Sequence, residues 1–156
     1  MSTPRLTGRV HSARAVTIAQ LHKHKLKFHK RSGDRSAKCD AEYTNNVGDV
    51  VYGVVFQISA AEKPELDIKE GLRNGYEGKI VSVIAQNGET LDAVTYYATN
   101  IDPSLNPYDW YKEHVIRGAR EHGLPPEYIA TIDAINSMPD PDTERHKREL
   151  SIYRYT

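Results

Sequence analysis

Residues 49–58, Asp-Val-Val-Tyr-Gly-Val-Val-Phe-Gln-Ile, are a run of β-branched and aromatic residues interrupted by one glycine. Such a run is typical of a buried central strand, in which both faces are covered. Ser59 follows at once and can cap a short helix over residues 60–69. Gly71 can take the left-handed conformation that ends a helix, so we predict that this helix ends at Glu70.

Further strands are predicted on both sides of this stretch. Val16 and Ile18 indicate an earlier strand, and residues 79–84 and 91–98 flank the pair Asn87-Gly88. An Asn-Gly pair between two alternating runs predicts an antiparallel hairpin. Residues 22–31 are dense in bases, and the spacing of Leu26 and Phe28 predicts a strand with these two side chains inside and the bases facing water.

The pattern becomes helical in the last third of the chain. Trp110, His114, Val115 and Ala119 can share one face of a helix that ends at Gly123. A second helix begins at Pro125-Pro126 and ends before residues 139–141, Pro-Asp-Pro, after which the chain is polar. Strands first and helices last predict an α+β protein with a short helix after the central strand and two C-terminal helices.

The composition indicates one soluble domain. The 156 residues suit a single core, and we predict a domain over residues 1–137 and a polar tail over residues 138–156. Lys+Arg and Asp+Glu both total 21, so no overall field favours nucleic acid. No apolar run approaches the ~20 residues of a membrane helix. The single cysteine, Cys39, fits a reducing compartment, which predicts a cytoplasmic protein without a membrane partner.

Familiar catalytic and metal signatures are absent from the sequence. No phosphate-binding loop, no Gly-x-Ser-x-Gly motif and no His-Glu-x-x-His motif occurs. His22 and His24 share a strand face, but two imidazoles without an acidic ligand do not predict a metal site. Residues 1–33 hold eight bases and no acid, which could contact phosphates. Nucleic-acid modules usually add exposed aromatic rings on which bases stack, and the basic strand has only Phe28. We therefore predict no nucleic-acid partner.

The segment from Leu66 to Tyr76 carries the strongest candidate for chemistry. A carboxylate at Glu70, where a helix stops at a glycine turn, lies on a rigid support near the sheet, which suits a proton-transfer group. A glutamate in this position is also commonly a solvated surface residue. The local pattern leaves both interpretations open.

Several segments in order resemble the γ-glutamylcyclotransferase-like family, which includes γ-glutamylamine cyclotransferases. The resemblance runs to about Asn136. The segments that carry it are 49–56, the helix end 66–71 with Gly75-Tyr76, the strand 95–100, Pro107 to Tyr111, and 117–125. The family implies a small mixed, barrel-like sheet, a small-molecule γ-glutamyl substrate and no cofactor or metal.

By this resemblance Glu70 stands at the family's catalytic glutamate. Tyr111 and Tyr96 match tyrosines that line the pocket, and Tyr76 lies at its rim; each ring is also compatible with a core position. The implied reaction is attack of the substrate's α-amine on its own γ-carbonyl, which gives 5-oxoproline and expels an amine or amino acid. Glu70 would take the proton of the amine and give one to the leaving nitrogen.

The family's first strand and its Tyr-Gly-Ser-Asn substrate loop would come immediately before Met1. We therefore expect the chain as written to be impaired as an enzyme. An alternative is a non-catalytic module that binds a small γ-glutamyl or acidic ligand with the same fold. The sequence does not decide whether the substrate is a glutathione-like peptide, a γ-glutamyl amino acid or a γ-glutamyl-lysine isopeptide. It also leaves open whether the protein forms a homodimer.

Overall fold

A computed structural model describes residues 2–153 and has the predicted α+β class. The described part holds six strands and five α-helices. The strands are β1 (Arg14–His22), β2 (His24–Arg31), β3 (Ala37–Tyr43), β4 (Val50–Gln57), β5 (Tyr76–Ala85) and β6 (Thr90–Ala98). The helices are α1 (Thr3–Thr7), α2 (Lys63–Glu70), α3 (Asp109–Glu121), α4 (Pro126–Asp133) and α5 (Thr143–Leu150).

The strands form two open sheets. One has the order β4-β1-β5-β6, the other contains β2 and β3, and every strand pair within residues 2–153 is antiparallel. The resemblance implies one small mixed, barrel-like sheet. The structure instead has two separate open sheets with antiparallel pairs. Lys23, with a φ of +61°, turns the chain sharply between β1 and β2, and β2 then pairs with β3 instead of extending the larger sheet.

The predicted hairpin at Asn87-Gly88 is confirmed. β5 and β6 pair from Tyr76↔Ala98 to Ile84↔Thr90, and Gly88 has a φ of +86°. The run at residues 50–57 is strand β4, which pairs with β1. It lies at one end of the sheet order rather than in the centre.

Strand β2 buries more of its polar residues than its sequence predicts. Phe28 is buried as expected, but His24, His29 and Lys30 are buried too. The register of β2 against β3 shifts between Phe28 and Lys30. This irregularity breaks the simple alternation of inward and outward side chains, which explains why the expectation that all the bases face water is wrong.

The C-terminal helices cover the smaller sheet. Ile116 and Ala119 of α3 and Ile132 of α4 pack with Phe28 of β2 in one core cluster. Both helices lie where the apolar spacing predicts them, and Gly123, with a φ of +67°, follows the end of α3.

A third C-terminal helix, α5, lies inside the segment 138–156 for which the sequence indicates only a polar tail. Leu150 is the one apolar residue among its eight and none of them is buried, so no apolar stripe reveals it. Polar contacts hold it instead: the Asp142 side chain accepts a hydrogen bond from the Arg145 amide, and Arg145 forms a bidentate pair with Asp140. The domain boundary at residue 137 stays a prediction.

Candidate active site

Glu70 is the last residue of α2, as predicted. Ser59 accepts a hydrogen bond from the Ala61 amide at the start of the short 3₁₀ turn that leads into this helix. At the other end Gly71 takes a φ of +81°, and the Leu72 amide donates back to the Asp67 carbonyl at 2.8 Å. This left-handed cap fixes the backbone next to the Glu70 side chain.

Arg9 holds the carboxylate of Glu70. Its Nη1 donates to Glu70 Oε1 at 2.5 Å, and both side chains are largely but not fully buried. The Lys69 Nζ donates to the Arg9 carbonyl at 2.9 Å. The segment after α1 is therefore attached to the end of α2 through both its side chain and its backbone.

A cavity of about 560 Å³ opens in front of Glu70. Glu70, Tyr76, Tyr96 and Tyr111 all line it, together with apolar side chains of α3 and α4. The structure therefore brings together the four residues that the resemblance selects, although they come from a helix, two strands and a second helix. A cavity of this size suits a small molecule.

Tyr76 and Tyr111 contact the same strand residue, Cys39. The Tyr76 hydroxyl donates to the Cys39 carbonyl at 2.5 Å, and the Tyr111 oxygen accepts from the Cys39 amide at 3.1 Å. Burial raises the pKa of both phenols well above the ordinary value, so both keep their protons at neutral pH. Because Tyr111 accepts from the amide, its own proton remains a donor for the Cys39 sulfur or for a substrate oxygen.

Tyr96 contacts α2 one turn before Glu70. Its hydroxyl donates to Asp67 Oδ1 at 2.6 Å, and Lys63 pairs with the same carboxylate. Burial, followed by the hydrogen bond to Asp67, raises the pKa of Tyr96. This tyrosine braces α2 against β6 and so supports the helix end that carries Glu70.

The thiol of Cys39 is not a nucleophile in this cavity. Burial raises its pKa to about 12, and a protonated thiol is a poor attacking group. This agrees with the sequence, which offers Cys39 no catalytic partner.

Several cations around the cavity are missed by sequence reasoning. Arg5, Arg9, Lys30 and Lys38 all line it. The signal that could have found them is the excess of bases over residues 1–33, where no acid occurs. A second cavity of about 530 Å³, mostly apolar, lies over the larger sheet and offers few titratable groups.

The described part of the chain offers no group of three or more His, Cys, Asp or Glu side chains that could hold a metal ion. His24, one of the two histidines considered for this purpose, instead contacts the His22 carbonyl and the Lys79 Nζ. Within residues 2–153 no helix has the length and apolar character to cross a membrane.

Comparison with known proteins agrees with this architecture. Residues 50–132 match the AIG2-like family. A bovine γ-glutamylcyclotransferase is 33% identical over 138 residues, which cover 83% of this chain and 73% of the relative. The human γ-glutamylcyclotransferase is 34% identical over 138 residues, again 83% of this chain and 73% of the relative.

Solved structures give the same result. A structure named γ-glutamyl cyclotransferase superposes with a TM-score of 0.81 at 28% identity, over 94% of this chain and 92% of the other. A human protein described as uncharacterized superposes with a TM-score of 0.80 at 31% identity, over 88% and 83% of the two chains.

Proposed function

Because the chain belongs to the AIG2-like family and its similar relatives are γ-glutamylcyclotransferases, we propose that it releases 5-oxoproline from a γ-glutamyl amine or peptide, with Glu70 as the proton shuttle. The observation that carries the proposal is the position of Glu70. Its carboxylate lies at a rigid helix end and lines a cavity of small-molecule size together with three tyrosines.

The first step needs a base. An α-amino group titrates near ~8 and is mostly ammonium at neutral pH, so it must lose a proton before it attacks. Arg9 occupies Oε1 of Glu70, and within residues 2–153 Oε2 makes no hydrogen bond. We assign the proton transfer to Oε2. The amine then bonds to the γ-carbonyl carbon, and the C=O electron pair moves onto oxygen.

The second step needs an acid. When the tetrahedral intermediate collapses, the carbonyl reforms and the bond between carbon and the leaving nitrogen breaks. Glu70 returns its proton to that nitrogen as the bond breaks. The regenerated carboxylate then takes the second proton from the ring nitrogen and passes it to the departing amine, so the amine leaves as an ammonium ion and the carboxylate is restored. Nucleophile and electrophile belong to one molecule, and such tethered reactions reach effective molarities of ~10⁵ M or more when oriented. The demand on the protein is to fold the substrate and to move protons.

We assign Tyr111 to substrate contact and the other two tyrosines to support. The Tyr111 O–H faces the Cys39 sulfur, a weak acceptor, and can turn to a substrate oxygen instead. The hydroxyl protons of Tyr76 and Tyr96 are committed to the Cys39 carbonyl and to Asp67.

The test is 5-oxoproline release from a panel of γ-glutamyl compounds by the chain as written and by a form extended upstream. Glu70→Gln keeps the shape of the side chain and removes its basicity, so release should fall at least ~100-fold, the lower end of the range for loss of a general acid-base group. Glu65→Gln is the matched control: it lies on the same helix with its side chain 58% exposed, and it should leave release unchanged.

One observation favours a second function, a binding module without turnover. The ion pair with Arg9 engages the carboxylate that the reaction needs. A folded chain that binds γ-glutamyl compounds but releases no 5-oxoproline in either form would support the module. Release that survives Glu70→Gln would contradict the assignment of the shuttle.

A further inference from the structure

Lys30 is a buried cation at the C-terminal end of β2, inside the cavity that contains Glu70. The residue is only 9% exposed, and it lines the cavity. Its Nζ lies 4.8 Å from the centre of the Tyr76 ring, on the face of the ring. Within the described residues this ammonium makes no ion pair with a carboxylate and no hydrogen bond.

The neighbouring cations of the cavity differ from Lys30 because each has a carboxylate partner. Arg9 pairs with Glu70 at 2.5 Å, Lys38 with Asp34 at 2.7 Å and Arg5 with Glu149 at 2.7 Å. Lys69, at the margin of the cavity, pairs with Glu65 at 2.8 Å. Among the cavity-lining Lys and Arg residues that the structure describes, Lys30 is thus left with a charge to satisfy.

The surrounding backbone is shaped to admit the Lys30 side chain. Gly75 lies against it with a φ of +96°, and a Cβ added to Gly75 would come within 2.8 Å of Lys30 Cε and 3.1 Å of Nζ. The turn that leads from Glu70 into β5 therefore makes room for the ammonium by lacking a side chain. The turn after α2 therefore connects Glu70 to a residue that lies against Lys30.

Leaving this charge without a partner is costly. Burial lowers the pKa of Lys30, and the more distant charge of Asp34 acts in the opposite direction. The stem of Lys30 is buried while its Nζ opens into the cavity over the Tyr76 ring, so the ammonium has lost part of its hydration and has no counter-charge. An anionic ligand in the cavity would supply the missing partner and gain a charge-assisted hydrogen bond.

We propose that Lys30 binds a carboxylate of the substrate and selects γ-glutamyl compounds that present one at this position. The inference rests on the proposed function, because the substrate enters the same cavity. Two carboxylates are candidates: the α-carboxylate, which every γ-glutamyl compound carries, and the carboxylate of an amino-acid leaving group.

Two substrates distinguish these sources. γ-Glutamylalanine carries both carboxylates, and γ-glutamylethylamide carries only the α-carboxylate. Lys30→Met should lower kcat/KM about tenfold or more, the effect of losing one hydrogen bond to a charged group. Loss on both substrates assigns Lys30 to the α-carboxylate, and loss on γ-glutamylalanine alone assigns it to the leaving group. Equal kcat/KM of variant and native protein on both substrates would overturn the proposal.

The controls separate binding from folding. Lys30→Arg keeps the charge and should retain most of the activity. Lys25→Gln removes a charge from an exposed position on the same strand and should change nothing. Because Lys30→Met removes a partly desolvated charge that has no carboxylate partner, kcat/KM should fall without a fall in Tm. A lower Tm together with unchanged KM would indicate a structural role and contradict the proposal.

Direct binding distinguishes failure of this inference from failure of the proposed function. Calorimetry with γ-glutamylalanine on Glu70→Gln protein, with and without Lys30→Met, reads the contact without turnover. A Kd raised at least tenfold by Lys30→Met supports the carboxylate site even if no form releases 5-oxoproline. The carboxylate site would be overturned by a Kd that Lys30→Met leaves unchanged. It would also be overturned if folded Glu70→Gln protein, with or without Lys30→Met, did not bind γ-glutamylalanine.

Discussion

Two residues constrain the Glu70 side chain. Gly71 ends the helix in a conformation that few other residues adopt, and Arg9, from the segment after α1, pairs with the carboxylate. The first contact is local in sequence and the second is not. The first constrains the backbone beside Glu70 and the second holds its carboxylate, so the placement of the side chain depends on each.

Gly71→Ala tests the local contact. A side chain at a φ of +81° costs roughly 1 kcal/mol, so Tm should fall by a few degrees. The helix end would also shift. The rate of 5-oxoproline release should therefore fall by a larger factor than the small loss of stability alone would cause. Gly48→Ala, in an exposed loop without a positive φ, is the control. Unchanged release from Gly71→Ala would show that the cap does not position Glu70.

The sequence predicts the candidate residue Glu70 better than it predicts the other charged residues around it. Glu70 follows from a local pattern and a family resemblance, because a capped helix that ends at glycine is visible in consecutive residues. Arg9 and Lys30 do not, because their contacts with Glu70 and Gly75 join segments that are remote in the chain. A count of bases shows that they exist but not where they meet.

At the scale of elements, Asp40 of β3 joins the two sheets. Its Oδ2 contacts His29 Nε2 at 2.8 Å within the smaller sheet, and its Oδ1 accepts from the Ala98 amide of β6 at 2.8 Å. The residue is 5% exposed. One carboxylate thus satisfies a ring and a backbone amide from two different sheets.

Asp40→Ala removes both contacts and leaves two buried groups unpaired. The free energy of unfolding in urea should fall by about 3 kcal/mol, because each buried donor left without its acceptor costs about 1–3 kcal/mol. Glu42→Ala, on the same strand and partly exposed, should cost far less. A loss below that of Glu42→Ala would mean that the sheets are held together without Asp40.

Strands and helices with apolar periodicity were predictable, and the arrangement of the sheets was not. The hairpin at Asn87-Gly88 depends on neighbouring residues alone. The division into two sheets depends on where the chain turns at Lys23 and on pairings across long distances. Helix α5 escaped prediction because ion pairs rather than apolar contacts hold it.

At the scale of the molecule, α5 connects the two ends of the described chain. Glu149 of α5 pairs with Arg5 of α1 at 2.7 Å and contacts His114 of α3 at 3.4 Å. Asp140, just before α5, accepts a hydrogen bond from the Trp110 indole at 2.7 Å. Three helices from distant parts of the chain therefore share one charged cluster.

Acid should loosen this cluster. The hydrogen bond from His114 and the charge of Arg5 lower the pKa of Glu149 from 4.5 to about 2. The unfolded chain therefore takes up this proton first, so the stabilisation is complete above about pH 4.5 and is lost as the pH falls towards 2. The unfolding free energy should fall more steeply over that range in the native protein than in Glu149→Gln.

The control for this acid series is Glu127→Gln, which changes an exposed residue of α4. It should follow the native curve throughout. Parallel curves for the native protein and Glu149→Gln would show that the pairing contributes no pH-dependent stability.

The long span of the Arg9–Glu70 pair has a consequence for how the protein folds. The two residues are 61 positions apart, and closing a loop of that length costs entropy that only the surrounding tertiary contacts repay. Helices and hairpins form within microseconds, well before such a contact is secured. The Arg9–Glu70 pair is therefore expected to form after α2 and the β5–β6 hairpin, so the Glu70 carboxylate is held in place only once the tertiary contacts have formed.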